Sequence, residues 1–169
     1  MLDHKLLSIY LNDHLAGSRG GIELARRALS NNEGTPFGEF LATLVRQIEE
    51  DRAALIRLMD RLDIGRDRPK EAAAWGLERA GRLKLNGRLF GYSPLSRLVE
   101  FESLLLGVTG KRSMWRSLLI VVDEEPRLER EELATLATRA ESQVDGLEAH
   151  RGEVVVDALG AGVIPPGKR

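Results

Sequence analysis

Between Gly65 and Ser93 the chain reads GRDRPKEAAAWGLERAGRLKLNGRLFGYS, and this stretch decides how the segments on either side of it can be arranged. Its opening, Arg66-Asp67-Arg68-Pro69-Lys70, is polar and broken by proline. Residues 71–85 then carry the apolar spacing of a short amphipathic helix, which Asn86-Gly87 and Gly91-Tyr92 interrupt. A link of about 30 residues with a helix inside it can run the length of a helical bundle, about 40 Å at 1.5 Å per helical residue. The second and third long helices of the chain are therefore expected to lie parallel.

Upstream of the link, two helices of nearly equal length are expected. The first covers 3–31, with an apolar stripe at Leu6, Tyr10, His14, Gly17, Gly21, Leu24 and Ala28, and it stops at Asn31-Asn32-Glu33-Gly34. Thr35 reads as an N-cap with Pro36 in the first helical position, so the second helix covers 36–64, with Gly65 as its stop. Their short connection makes them antiparallel neighbours. Downstream, Ser93-Pro94 repeats the cap-then-proline start for a helix over 94–122, in which Gly107 and Gly110 mark a candidate kink. A tight Asp123-Glu124-Glu125-Pro126 link leads to the fourth helix, 127–159, with its face at Leu133, Leu136, Ala140, Val144, Leu147, Arg151, Val154 and Ala158. Residues 161–169, rich in glycine and proline, read as a flexible tail after one domain spanning 1–160.

Composition bounds the chemistry. The chain has 169 residues, 43% hydrophobic and 30% charged, with a formal net charge of −1, which is the profile of a globular protein without a field that draws in nucleic acid. Cysteine is absent, so disulfides, thiolate catalysis and cysteine-ligated clusters are excluded. The opening residues Met1 to Leu7 lack a signal-peptide pattern, and no uncharged run approaches the roughly 20 residues that span a bilayer, so a cytoplasmic protein without membrane contact is expected.

Two long hairpins joined by one long crossover resemble the ferritin-like superfamily, over residues 3 to 159 and at the level of helix and connection lengths. That resemblance implies an all-α, ferritin-like four-helix bundle with a short extra helix in the crossover. It also implies paired carboxylates with Glu-x-x-His motifs holding two metal ions. The motif is missing: the residues three before His4, His14 and His150 are Met1, Leu11 and Leu147, and Arg52 stands after Glu49, Glu50 and Asp51 where a histidine would be wanted. No metal and no cofactor are therefore expected.

The hairpin turns serve as a ruler for heights along the bundle. They bring His14 close to the height of Asp51 and Arg52, with Glu50 beside them, and extend that layer to Thr109 or Arg112 and to Glu141. His14 on an apolar stripe reads as a histidine held by Asp51 or Glu50 that fixes helix register, or else as a ligand site with Glu50 and Glu141. A second layer gathers Glu23, Glu102, Glu148 and His150, with poor facing because positions two apart diverge by about 200° around a helix. The cluster Gly17, Gly20 and Gly21 is expected to admit the close approach of another helix. Arg79, Arg82, Lys84, Arg88 and Arg97 form a basic stretch that reads as a solvated face.

These readings favour a non-catalytic helical bundle that acts through protein contacts, as a homodimer, because the third helix is apolar over more than one face. The alternative is a metal-binding or oxidoreductase protein with an atypical site near His14, Glu50 and Glu141.

Overall fold

The computed structural model describes residues 2–66 and 92–160. They form four long helices: α1 His4–Asn31, α2 Pro36–Arg61, α3 Pro94–Val121 and α4 Arg130–Leu159, with a 3-10 turn, Val122–Glu124, between the last two. No strand occurs among the described residues, and the fold is all-α. No helix there is long and apolar enough to cross a membrane. The connector helix expected at 71–85, the basic stretch up to Arg88 and the tail from 161 lie outside the described residues.

Helix starts follow side-chain chemistry. Asp3 accepts from the backbone N–H groups of Lys5 at 2.9 Å and Leu6 at 3.1 Å, satisfying donors that the first turn leaves unpaired. Thr35 and Ser93 cap α2 and α3, each followed by proline at the first helical position. The fourth helix begins at Arg130 rather than at 127, and it has no side-chain cap. The residues before it are held otherwise: Glu125 accepts from Arg127 Nε at 2.8 Å, and the Leu128 N–H bonds the Glu125 carbonyl at 2.9 Å while the Leu128 side chain is buried.

The end of α2 departs from expectation. The helix stops at Arg61, and Asp63, not Gly65, takes the left-handed conformation, with φ of 55°. Aspartate tolerates that region because its short polar chain bonds locally or to a near neighbour, and here its carboxylate meets Arg127 Nη1 at 3.0 Å. The Ile64 N–H returns to the Met59 carbonyl at 2.9 Å and Ile64 is buried, a hydrophobic closure of the helix end.

Side-chain contacts establish the helix directions. Arg27 Nε reaches Glu100 Oε1 at 3.1 Å, while Leu7 shares a core cluster and a surface groove with Leu118, so α1 and α3 are antiparallel neighbours. Phe37 meets Phe101 near the start of α2 and α3, and Asp51 meets Lys111 further along both, so these two run parallel. Glu50 with Arg139 and Arg61 with Glu132 make α2 and α4 antiparallel, as Arg112 with Glu141 and Arg151 with Glu102 do for α3 and α4.

The core is split in two along the bundle axis. One cluster holds Leu7, Leu11, Leu58, Met59, Trp115 and Leu133; the other holds Ala25, Ala28, Phe37, Leu41, Phe101 and Leu147. Each fully buried Leu, Met or Phe contributes about 1.5–3 kcal/mol of transfer free energy. On α1 the buried positions are Leu7, Leu11, Asn12, Ala25 and Ala28, while Leu6 is exposed; the stripe is rotated by one residue from the expected set at its start. Between Asn12 and Ala25 that helix buries nothing fully. The glycines there do not serve close packing: a Cβ on Gly17, Gly20 or Gly21 would find no heavy atom within 4 Å.

Candidate functional site

Between the two apolar clusters lies a polar layer built from three helices. Asp51 of α2 is 1% exposed. Its Oδ2 accepts from Lys111 Nζ of α3 and, at 3.2 Å, from Gln143 Nε2 of α4; its Oδ1 faces the Arg139 guanidinium of α4. Lys111 also donates to Gln143 Oε1 at 2.5 Å, Gln143 donates to Gln47 Oε1 at 3.1 Å, and Arg139 Nη1 donates to Glu50 Oε2 at 2.9 Å. Burial lowers the Lys111 pKa, the Asp51 carboxylate opposes that shift and the Arg139 guanidinium adds to it. Two carboxylates, Asp51 and Glu50, balance two cations, Lys111 and Arg139.

His14 does not join this layer. Its ring meets the Tyr10 ring edge-on, with centroids 4.7 Å apart, and burial lowers its pKa, with Asp13 partly opposing. Asp51 lies on the flank of α2 that faces α3 and α4, whereas the flank toward α1 carries Glu49, which accepts from Arg26 Nε at 2.9 Å. Neither Asp51 nor Glu50 therefore holds His14. Arg112 and Glu141 do come together, at 2.8 Å, but as a separate pair that Arg116 shares through Glu141 Oε2.

The second expected layer does not assemble as a unit. Glu23 is 3.6 Å from Arg19 on its own helix; Glu148 takes two bonds from Arg151, at 2.8 and 2.7 Å, and Glu102 lies 4.0 Å from the same guanidinium. His150 turns into an aromatic group, with ring centroids 4.4 Å from Phe40 and 5.9 Å from Phe37. Its buried Nδ1 has no hydrogen-bond partner and lies 3.7 Å from Glu153 Oε2. Gly146 admits the Phe40 ring, which would stand 2.7 Å from a Cβ there.

A third polar cluster, near the α1–α2 turn, was not anticipated. Buried Glu100 accepts from Arg27 Nε, Asn31 Nδ2 and Tyr92 Oη, each at 3.1 Å. Buried Asn32 donates to the Ala28 carbonyl and to Tyr92 Oη, both at 2.7 Å, and accepts from Arg97 Nε at 2.6 Å. Arg97, expected on a solvated basic face, instead ties α3 to the end of α1 and lies 5.0 Å above the Phe37 ring.

The chemistry these arrangements permit is limited. Asp51 Oδ2 is taken up by Lys111 and Gln143, and Oδ1, which lacks a hydrogen bond, faces the Arg139 guanidinium, so the carboxylate is enclosed by cationic and amide donors that disfavour the approach of a metal ion. Among the described residues no group of three or more His, Asp or Glu side chains is placed to hold a metal ion. An open groove of about 580 Å³ runs between α2 and α4, the most sparsely packed neighbours, with Ala54 and Leu136 at its base and Glu50, Arg57, Glu132 and Arg139 along it. Most of its charges are already paired, through Arg139 with Glu50 and Arg61 with Glu132. No protein-family model matches the chain, and no curated protein and no solved structure matches it.

Proposed function

We propose that this protein is a non-catalytic helical bundle of ferritin-like arrangement that acts through protein contacts, as a homodimer in the cytoplasm. The observation that carries the reading is the outward face of α3, where Leu95, Leu106 and Ile120 are 52%, 66% and 83% exposed. These three side chains lie on one flank of one helix, and that shared flank is what supports a partner surface there. The parallel course of α2 and α3 supports the ferritin-like part of the reading, because it requires one long crossover between two hairpins.

The metal-binding or oxidoreductase alternative centred on His14, Glu50 and Glu141 lacks a shared site. His14 packs on Tyr10, Glu50 bonds Arg139, and Glu141 bonds Arg112 and Arg116. Light scattering on untagged protein at high micromolar concentration tests the proposal, with a dimer mass expected and a monomer counting against it. Two iron or manganese ions per chain by elemental analysis would overturn the non-catalytic part.

A further inference from the structure

Resting on that reading, we infer that the partner is a second copy packed antiparallel along the outer row of α3, with a two-fold axis crossing that outer face at the height of residue 108. The row is defined by helical spacing. The buried positions of α3 include Phe101, Leu104, Val108, Trp115 and Leu118. On the opposite side Leu106, Ser113 and Ile120 follow one another at intervals of seven residues, with Leu95 eleven residues before Leu106. Val99, Ser103, Gly110 and Ser117 fill the spaces between them. No charge interrupts this row over about 38 Å of helix.

The order of large and small residues is self-complementary under reversal, which a two-fold interface requires. With the axis at the height of residue 108, Leu106 of one copy stands over Gly110 of the other, where the bare backbone leaves open space: a Cβ on Gly110 would meet nothing within 4 Å. Val99 stands opposite Ser117, Ser103 opposite Ser113, and Leu95 opposite Ile120. In each of the two inner pairings that involve an aliphatic residue, a large side chain faces a small one, so the helices can interdigitate.

Charge placement along the edge agrees. Glu102 and Arg116 flank the row on the same side, toward α4, and each keeps more than half of its side chain exposed while paired within its own chain, to Arg151 and Glu141 respectively. A two-fold axis perpendicular to the helices keeps each edge on its own side, so Glu102 of one copy meets Arg116 of the other, twice per dimer. A parallel pairing, whose axis runs along the helices, exchanges the edges and leaves Glu102 of one copy on the far side from both Glu102 and Arg116 of the other, so neither pair forms. A strip one helix wide, about 10–12 Å, covers about 400 Å² per copy at this length, which puts the pair in the weak, transient class of interfaces.

The absence of cysteine makes the arrangement directly readable, because each introduced thiol is unique. Ser103→Cys and Ser113→Cys are prepared as separate proteins, one carrying a mass tag, and oxidised alone and mixed at high micromolar concentration. The antiparallel pair predicts a disulfide between the two variants when mixed and none in either alone, since residue 103 of one copy lies about 15 Å from residue 103 of the other, far beyond disulfide reach. Self-crosslinking of each variant alone would establish a parallel pair and overturn the inference. A dimer by light scattering with no crosslink in any mixture would move the interface off this row, overturning the inference and leaving the proposed homodimer intact. A monomer would overturn both, and protection of the α3 outer-row amides from hydrogen exchange in that monomer would assign the row to a segment of the same chain.

Discussion

The Asp51 carboxylate and the Lys111 ammonium form an ion pair in the interior of the bundle, the first 1% exposed and the second reaching it from the parallel helix α3. Removing the carboxylate leaves two cations, Lys111 and Arg139, without their shared counter-ion. Asp51→Ala is expected to destabilise the fold by about 3–5 kcal/mol in urea unfolding, the range for breaking a buried pair from one side. Replacing both partners, Asp51→Leu with Lys111→Met, is expected to recover most of that loss; equal instability in the single and double variants would count against the pair as its source.

Glu100 draws α1, α3 and Tyr92 together through three bonds. Charge-assisted bonds contribute about 1.5–3 kcal/mol each and are not additive, so Glu100→Ala is expected to cost about 2–4 kcal/mol. Tyr92→Phe removes only the hydroxyl and is expected to cost about 1 kcal/mol. Thermal unfolding of both variants checks the order.

Interior glycines should divide by surroundings. Gly17→Ala, Gly20→Ala and Gly21→Ala each gain helix propensity in open space and are expected to stabilise by about 0.5–1 kcal/mol. Gly146→Ala places a methyl 2.7 Å from the Phe40 ring, which is itself packed on His150. There the overpacking cost of about 1–3 kcal/mol is expected to exceed the propensity gain. Chemical denaturation midpoints that rise for the first three and fall for the fourth would bear this out.

Glu125 and His14 each link stability to acid. The Arg127 side chain, bonding Glu125, holds that carboxyl at about 2, against an ordinary 4.5. A carboxyl depressed by folding stabilises above its unfolded value, and this stabilisation drains away between about pH 4.5 and 2. Burial lowers the His14 pKa below 6.5, so the unfolded chain takes up that proton first and stability falls as pH drops below 6.5. Unfolding free energies measured from pH 8 to 3 should lose the upper part of this slope in His14→Gln and the lower part in Glu125→Gln.

Helix ends written in paired signals were the most readable parts of the sequence. Thr35-Pro36 and Ser93-Pro94 combine a side-chain acceptor with a preset φ, and both start helices where expected. The stop of α2 was harder to read, because Asp63 takes a backbone conformation for which Gly65, two residues on, is intrinsically better suited. His14 drew attention through a stripe that is one residue out of phase with the buried positions Leu7 and Leu11. The residues that do meet Asp51 carried a clearer signal. Lys111 falls three after Val108 and four before Trp115, and Gln143 three after Ala140 and four before Leu147, so each polar side chain occupies a core position. A polar residue in register with a buried row was more informative than a histidine near one.

The directions of the four helices have a consequence for the bundle as an electrical object. Each helix lies antiparallel to both of its neighbours and parallel only to the one across the diagonal, so either end of the bundle presents two N-termini and two C-termini. Partial charges of about half a unit, positive and negative, then alternate at the spacing of packed helices, about 8–10 Å, and offset one another beyond that distance. Among the described residues the four helix dipoles therefore add no net field along the bundle axis, and what the helices offer an approaching partner is the local pattern of charge on a helix flank.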